Sequence, residues 1–184
     1  MSGFLLIVGL GNPGSDYEKT RHSVGFEVVG RLASAAGLLL KTKSFSSLYG
    51  KGQVEGHEVL LLLPQTFMNL SGQAVREAKD YYKVEAKDLL AVHDDLDLPL
   101  GRVKLDFNAG AAGHRGVESV VDHLGTKAFY RIRMGIGRPQ KGREDVESFV
   151  LSRFTQEEGE TAEQMIEASL KILRDWIKKE KVHE

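Results

Sequence analysis

Asn12, Tyr17, Arg21 and His22 bring an amide, a phenol, a guanidinium and an imidazole into eleven residues of chain. They belong to the stretch Gly9-Leu10-Gly11-Asn12-Pro13-Gly14-Ser15-Asp16-Tyr17-Glu18-Lys19-Thr20-Arg21-His22, which directly follows the apolar run Phe4 to Val8. Five apolar residues closed by a glycine spell a buried strand. A turn-rich segment leaving such a strand lies at its carboxyl end, where open α/β sheets bind their ligands. An imidazole placed there titrates near neutrality and can act as a general base. A carboxylate beside it would hold the tautomer and favour the protonated ring.

Carboxylates cluster in Asp94-Asp95-Leu96-Asp97, after the strand-like run Leu89 to His93. Three acids could ligate Mg²⁺, which takes carboxylate oxygens; they could equally be solvated loop residues or helix caps. His93 ends an apolar run and reads as a satisfied core histidine. Gln65-Thr66-Phe67-Met68-Asn69-Leu70-Ser71-Gly72 lies between a strand and a helix and sets Asn69 at a comparable strand end. On its own this segment reads as a helix N-terminus with Phe67 and Met68 in the core.

Two other chemistries lack support. Gly9 to Gly14 satisfies G-x-G-x-x-G, but Asn12 to Asp16 is a turn, the periodic helix begins only near residue 23, and residues 30–40 hold no Asp or Glu to meet a ribose. A dinucleotide site needs the helix to start inside the glycine motif. No G-x-S-x-G elbow occurs and Cys is absent, so there is neither the usual serine-hydrolase signature nor a thiol nucleophile. For a hydrolase, activated water is then the simpler nucleophile.

Strands and helices alternate to position these groups. Residues 23–36 predict a helix with Val24, Val28, Val29, Leu32 and Ala36 on one face, stopped by Gly37. Residues 44–54 and 58–63 predict a hairpin around Glu55-Gly56-His57, ended by Pro64. Ser71 is expected to cap a helix reaching Tyr82, with Ala74, Val75, Ala78, Tyr81 and Tyr82 turned to the core. A strand at 102–107, a small-residue loop at 108–113 and a helix through Val117, Val120, Val121 and Leu124 follow. Tyr130 to Ile136 alternates Arg131 and Arg133 with Ile132 and Met134, the pattern of a strand with one wet face. Thr155-Gln156-Glu157-Glu158 matches a capping box and opens a last helix with Met165, Ile166, Leu170, Leu173, Trp176 and Ile177 on its apolar side. The fold class expected is α/β, one domain over residues 1–184, with a mixed β-sheet sandwiched between helices.

The 184 residues carry a formal charge of −1, no basic flank before the first apolar run, and no run near membrane-spanning length. The expectation is a cytoplasmic protein without a membrane anchor. Charge is nonetheless uneven. Residues 100–143 hold nine Lys or Arg against three acids, whereas 144–169 hold eight acids against Arg153. Such asymmetry can steer a polyanion to one face or be solvated surface charge; were the partner a nucleic acid, Lys104, Arg115, Arg131, Arg133, Arg138, Lys141 and Arg143 would be the candidate phosphate contacts.

In order along the chain stand G-L-G-N-P-G-x-x-Y-x-x-T-R-H, T-F-M-N-L-S-G, H-D-D-L-D-L-P, G-x-x-G-H-R-G and R-M-G-I-G-R-P. Over nearly the full length this resembles the bacterial-type peptidyl-tRNA hydrolase family. The resemblance implies a monomeric enzyme of phosphorylase/hydrolase-like fold, with no cofactor and no metal, cleaving the ester between a peptide and the terminal ribose of tRNA. It implies His22 as the base that activates water and Asp94 as the carboxylate that sustains it. Asn12 would distinguish an N-blocked aminoacyl group, Asn69 would hold the substrate near the ester, and Tyr17 and Phe67 would contact the tRNA end, as would position 115. Two positions depart from the pattern: Ser23 stands where many members have Asn, and Arg115 where Gly-His-Asn-Gly is common. Arg115 can donate to phosphate or ribose but cannot accept a hydrogen bond.

Overall fold

The computed structural model describes residues 3–179; residues 1, 2 and 180–184, the ends of the expected 1–184 unit, lie outside the described residues. Seven strands form one mixed sheet in the order β2-β3-β4-β1-β5-β7-β6. Its centre is parallel: β1 (Leu5–Gly9) lies between β4 (His57–Pro64) and β5 (Leu89–Asp95), and β5 pairs with β7 (Tyr130–Gly135). Antiparallel partners finish both edges, β3 (Ser47–Val54) and β2 (Thr42–Ser44) on one side and β6 (Val103–Phe107) on the other. The β3–β4 hairpin is the one expected around Glu55-Gly56, and with the antiparallel β6–β7 pair at the other edge it makes the sheet mixed.

Helices cover both faces. Alternate side chains of the central strands pack with α1 (Val24–Ala35) and α5 (Gly159–Lys179) on one side, where Leu32, Leu173 and Trp176 are buried. The opposite side chains, Leu6, Val8 and Leu60 among them, meet α2 (Ser71–Tyr82) and α3 (Arg115–Leu124). The capping box before α5 is present in both directions: the Thr155 amide donates to Glu158 Oε1 at 2.9 Å, and the Glu158 amide to Thr155 Oγ1 at 3.3 Å.

Three local expectations fail. Ser71 does not cap α2; it is the first helical residue, and its hydroxyl donates back to the Met68 carbonyl at 2.8 Å, because a 3₁₀ turn at Met68–Leu70 runs directly into the helix. Tyr81 is 71% exposed, its ring lying against those of Phe45 and Tyr82 instead of entering the core. The strand β7 has no wet face at Arg131, which is 2% exposed beneath the 108–113 loop and donates to the Gly110 carbonyl.

Glycines set the approach of helix to sheet. A Cβ at Gly25, in the first turn of α1, would fall inside van der Waals contact of the Val92 carbonyl and of Leu10. A Cβ at Gly9 would strike the Gly25 carbonyl, and one at Gly11 the Phe26 ring. The G-x-G pair thus serves helix packing, and the short turn ahead of α1 is pulled over the end of β5. Gly25→Ala is expected to destabilise the fold by about 2 to 4 kcal/mol through overpacking. Gly30→Ala, on the same helix with nothing within 4 Å, should stabilise by about 0.5 to 1 kcal/mol. Urea denaturation of the two variants beside the parent checks both signs.

Candidate active site

The connections leaving β1 and β5 run to opposite sides of the sheet, so the crevice between the ends of these neighbours is a topological switch point. Into it come a 3₁₀ turn, Arg21–Ser23, from the β1 side and the end of β5 itself. His22 Nδ1 lies 3.0 Å from each carboxylate oxygen of Asp94, seventy-two residues away in sequence.

A second imidazole completes the cluster. His114 Nε2 lies 3.0 Å from Asp94 Oδ1, while its Nδ1 accepts from the Gly116 and Val117 amides at 3.1 and 3.2 Å, capping α3. An Nδ1 that accepts two amide protons carries none, so His114 is neutral with its proton on Nε2, donated to the carboxylate. His22 likewise donates Nδ1–H to Asp94 and keeps Nε2 as its basic nitrogen. Beneath them, buried His93 donates Nδ1–H to the Asp94 carbonyl at 2.7 Å, and its ring centroid sits 4.9 Å from that of His114. Burial first, with the Arg131 guanidinium beside it, pushes His93 well below the usual histidine range, so it stays neutral, the core histidine expected.

The electrostatics follow from this geometry. Burial opposes ionisation of Asp94, but the facing histidines outweigh it and hold the carboxyl well below the usual carboxylate range. For His22, burial disfavours the protonated ring, the charge and hydrogen bond of Asp94 favour it more strongly, and Arg115 opposes it; the net direction is upward. A base raised in this way takes a proton from water more readily once it has been freed of its own.

One cavity of about 410 Å³ unites the expected residues: Asn12, Tyr17, His22, Phe67, Asn69, Asp94 and Arg115 all line it. Ser23 is accounted for here, because its hydroxyl accepts from the backbone N–H of Asn12 at 3.4 Å and ties the first turn to the second. Phe67, read from its segment alone as core, is 73% exposed at the rim. Met68 is the buried member of that pair, and α3 packs its Gly116 against the Met68 sulfur.

Other residues come into the site without a forecast. His114 stood in a quoted motif with no role attached; a histidine just before a helix start and after a glycine turn was the available signal. Leu96, Val146, Val150 and Leu151 form an apolar wall. That wall is strapped to the Arg21–Ser23 turn by buried Arg21, which donates to Ser152 Oγ, to the Arg153 carbonyl at 2.9 Å and to Glu158 at 2.6 Å.

Most of the remaining charges pair with one another. Asp95 binds Arg133 at 2.7 Å and the Asp97 amide at 2.7 Å, and Asp97 binds Arg138 at 2.6 Å, so the run 94–97 does not converge as one cation site. Among the described residues, His22, Asp94 and His114 are the group whose donor atoms, all within 4.8 Å, could hold a metal ion. Such an ion would have to displace the protons now bound to the carboxylate. Of the basic candidates, Arg131 is buried and Arg133 bridges Asp95 and Asp106. Lys104, Arg115, Arg138, Lys141 and Arg143 stay exposed.

Fold and cluster together define an α/β protein whose imidazole is held by a buried carboxylate at the carboxyl edge of a mixed sheet, the arrangement of a general base. The family profile described as peptidyl-tRNA hydrolase matches residues 6–184, and the chain belongs to that enzyme family. A peptidyl-tRNA hydrolase from Bacillus thuringiensis subsp. konkukian is 46% identical over 174 residues, 95% of this chain and 93% of that protein. The Bacillus subtilis peptidyl-tRNA hydrolase is 48% identical over 167 residues, 91% and 88% of the two chains. The crystal structure of peptidyl-tRNA hydrolase from Acinetobacter baumannii superposes with a TM-score of 0.90 at 39% identity, covering 99% of this chain and 92% of that one. Among the described residues no helix is long and apolar enough to cross a membrane.

Proposed function

We propose that this chain hydrolyses the ester joining a peptide, or any N-blocked aminoacyl group, to the terminal ribose of tRNA, with His22 as base and Asp94 as its support. The observation that carries the reading is the contact of His22 Nδ1 with the Asp94 carboxylate inside the cavity. Nε2 of His22 removes a proton from water as the oxygen attacks the ester carbonyl. The tetrahedral oxyanion is met by an asparagine amide of the Asn12 and Asn69 pair. The imidazolium, balanced by Asp94, then returns the proton to the departing ribose oxygen, and free peptide and tRNA leave. Tyr17 and Phe67 contact the acceptor end, and Arg115 donates to its phosphate or ribose. In the same reading the enzyme acts as a cytoplasmic monomer, with no cofactor.

A free α-ammonium would have to shed water to enter a site shaped for a neutral peptide amide, which disfavours it by about 10²-fold or more. The test is parallel incubation with N-acetyl-aminoacyl-tRNA and its unblocked counterpart. Release from the blocked substrate, about 10²-fold faster than from the free one, is the expected result. Binding of both without release would make the chain an RNA-binding relative that has lost catalysis.

A further inference from the structure

Arg115 is the first residue of α3, exposed, and of the residues lining the cavity it alone carries a permanent positive charge. Its neighbour His114 places its ring 4.9 Å from that of His22. No carboxylate lies within ion-pair distance of Arg115 among the described residues, whereas Asp94 and Asp95 are both taken up by other partners. A cation in the first turn also opposes the helix macrodipole, whose positive end lies there. A residue that breaks a local preference on two counts, at the wall of an active site, marks function over stability.

We propose that Arg115 is a positioning residue for the base: its guanidinium shares the cavity with His22 and resists a second positive charge on that ring, keeping Nε2 free to activate water. This rests on the hydrolase reading and adds to it, because a phosphate contact alone would leave the base untouched. The charged and titratable groups around His22 are few. Asp94 on β5 favours the protonated ring; Asp95 beside it is paired with Arg133; His93 and His114 are neutral; Glu147, on the short helix α4 (Val146–Val150), and Tyr17 also line the cavity; Arg21, on the same turn, points away to Glu158. Arg115 is thus the counterweight to Asp94, and the two oppose each other at His22.

The sign of the effect is fixed. His22 works unprotonated, so kcat/KM rises with pH as the ring loses its proton, and removing the opposing charge moves that acid limb to higher pH. Solvent screens an exposed guanidinium, so Arg115→Asn should lower the rate below the limb by about two- to five-fold more than it lowers that variant's own high-pH plateau, the ratio that marks a displaced limb. The substrate that isolates this is 3′-O-(N-acetylaminoacyl)adenosine, an ester without phosphate, with kcat on saturating N-acetyl-aminoacyl-tRNA read beside it. Arg115→Lys should retain the parent profile on both. Superimposable pH profiles for Arg115→Asn and the parent would overturn the proposal, including the case in which only KM for the full tRNA rises, which would leave Arg115 a phosphate contact. If the parent hydrolyses neither blocked substrate, it is the hydrolase reading that falls.

Discussion

His22→Ala should lower kcat on N-acetyl-aminoacyl-tRNA by about 10²- to 10⁴-fold, the range that loss of a positioned general base produces. Affinity for tRNA should stay within about two-fold, because the variant removes a group that acts on the attacking water and leaves the rim residues Phe67 and Arg115 in place. The fold should survive: His22 sits on a 3₁₀ turn held by its neighbours, with the Arg21 amide bonded to the Ser152 carbonyl at 2.9 Å and the Ser23 amide to the Thr20 carbonyl at 3.0 Å. Single-turnover release of labelled N-acetyl-amino acid gives the rate, and filter binding gives the affinity. Added imidazole should restore part of the lost rate in this variant and none in the parent, since it can occupy the vacated place beside Asp94. Parent-like turnover by His22→Ala would remove the imidazole from the mechanism.

The parts of this arrangement legible in the chain are those with a local signature. Phe4 to Val8 closed by Gly9, the helical periodicity of Val24 to Leu32, and the capping box at Thr155 announce their elements because period and punctuation are properties of neighbouring residues. The cavity members were legible through motif blocks, and all seven meet. What stayed hidden depends on contacts distant in sequence. Arg131 alternates like a surface residue, and only the 108–113 loop folding over β7 buries it. Tyr81 keeps the helical period, yet the Phe45 ring it meets comes from the turn between β2 and β3, which nothing in α2 records. His114 needed two facts at once, the cap it forms on α3 and the carboxylate twenty residues upstream, and no local pattern joins them. The glycine pair Gly9 and Gly11 misleads in the opposite sense: its spacing suggests phosphate, and its use is to admit the backbone of α1 and the Phe26 ring.

Asp94→Asn is the sharper test of how the cluster works, because it keeps size and shape and changes only the proton inventory. Three hydrogen bonds converge on the carboxylate, with His22 Nδ1 at 3.0 Å from both oxygens and His114 Nε2 at 3.0 Å from Oδ1. An amide offers one oxygen. If that oxygen takes the place of Oδ1, the NH₂ stands against His22 Nδ1–H as an opposed donor, unless the proton moves to Nε2, where the ring can no longer act as a base. If the amide turns the other way, its NH₂ meets the Nε2–H of His114, and that tautomer cannot switch because Nδ1 is committed to the α3 amides. Either way a buried donor is opposed by a donor or the base is lost, and kcat should fall by about 10³- to 10⁴-fold, as for a carboxylate that fixes a catalytic histidine's tautomer. Whatever activity remains should titrate at lower pH than in the parent, since His22 has lost the negative charge that favoured its protonated form. Asp94→Asn and Arg115→Asn are therefore expected to displace the acid limb in opposite directions. A shift of the two limbs the same way would mean that the titrating group is not His22.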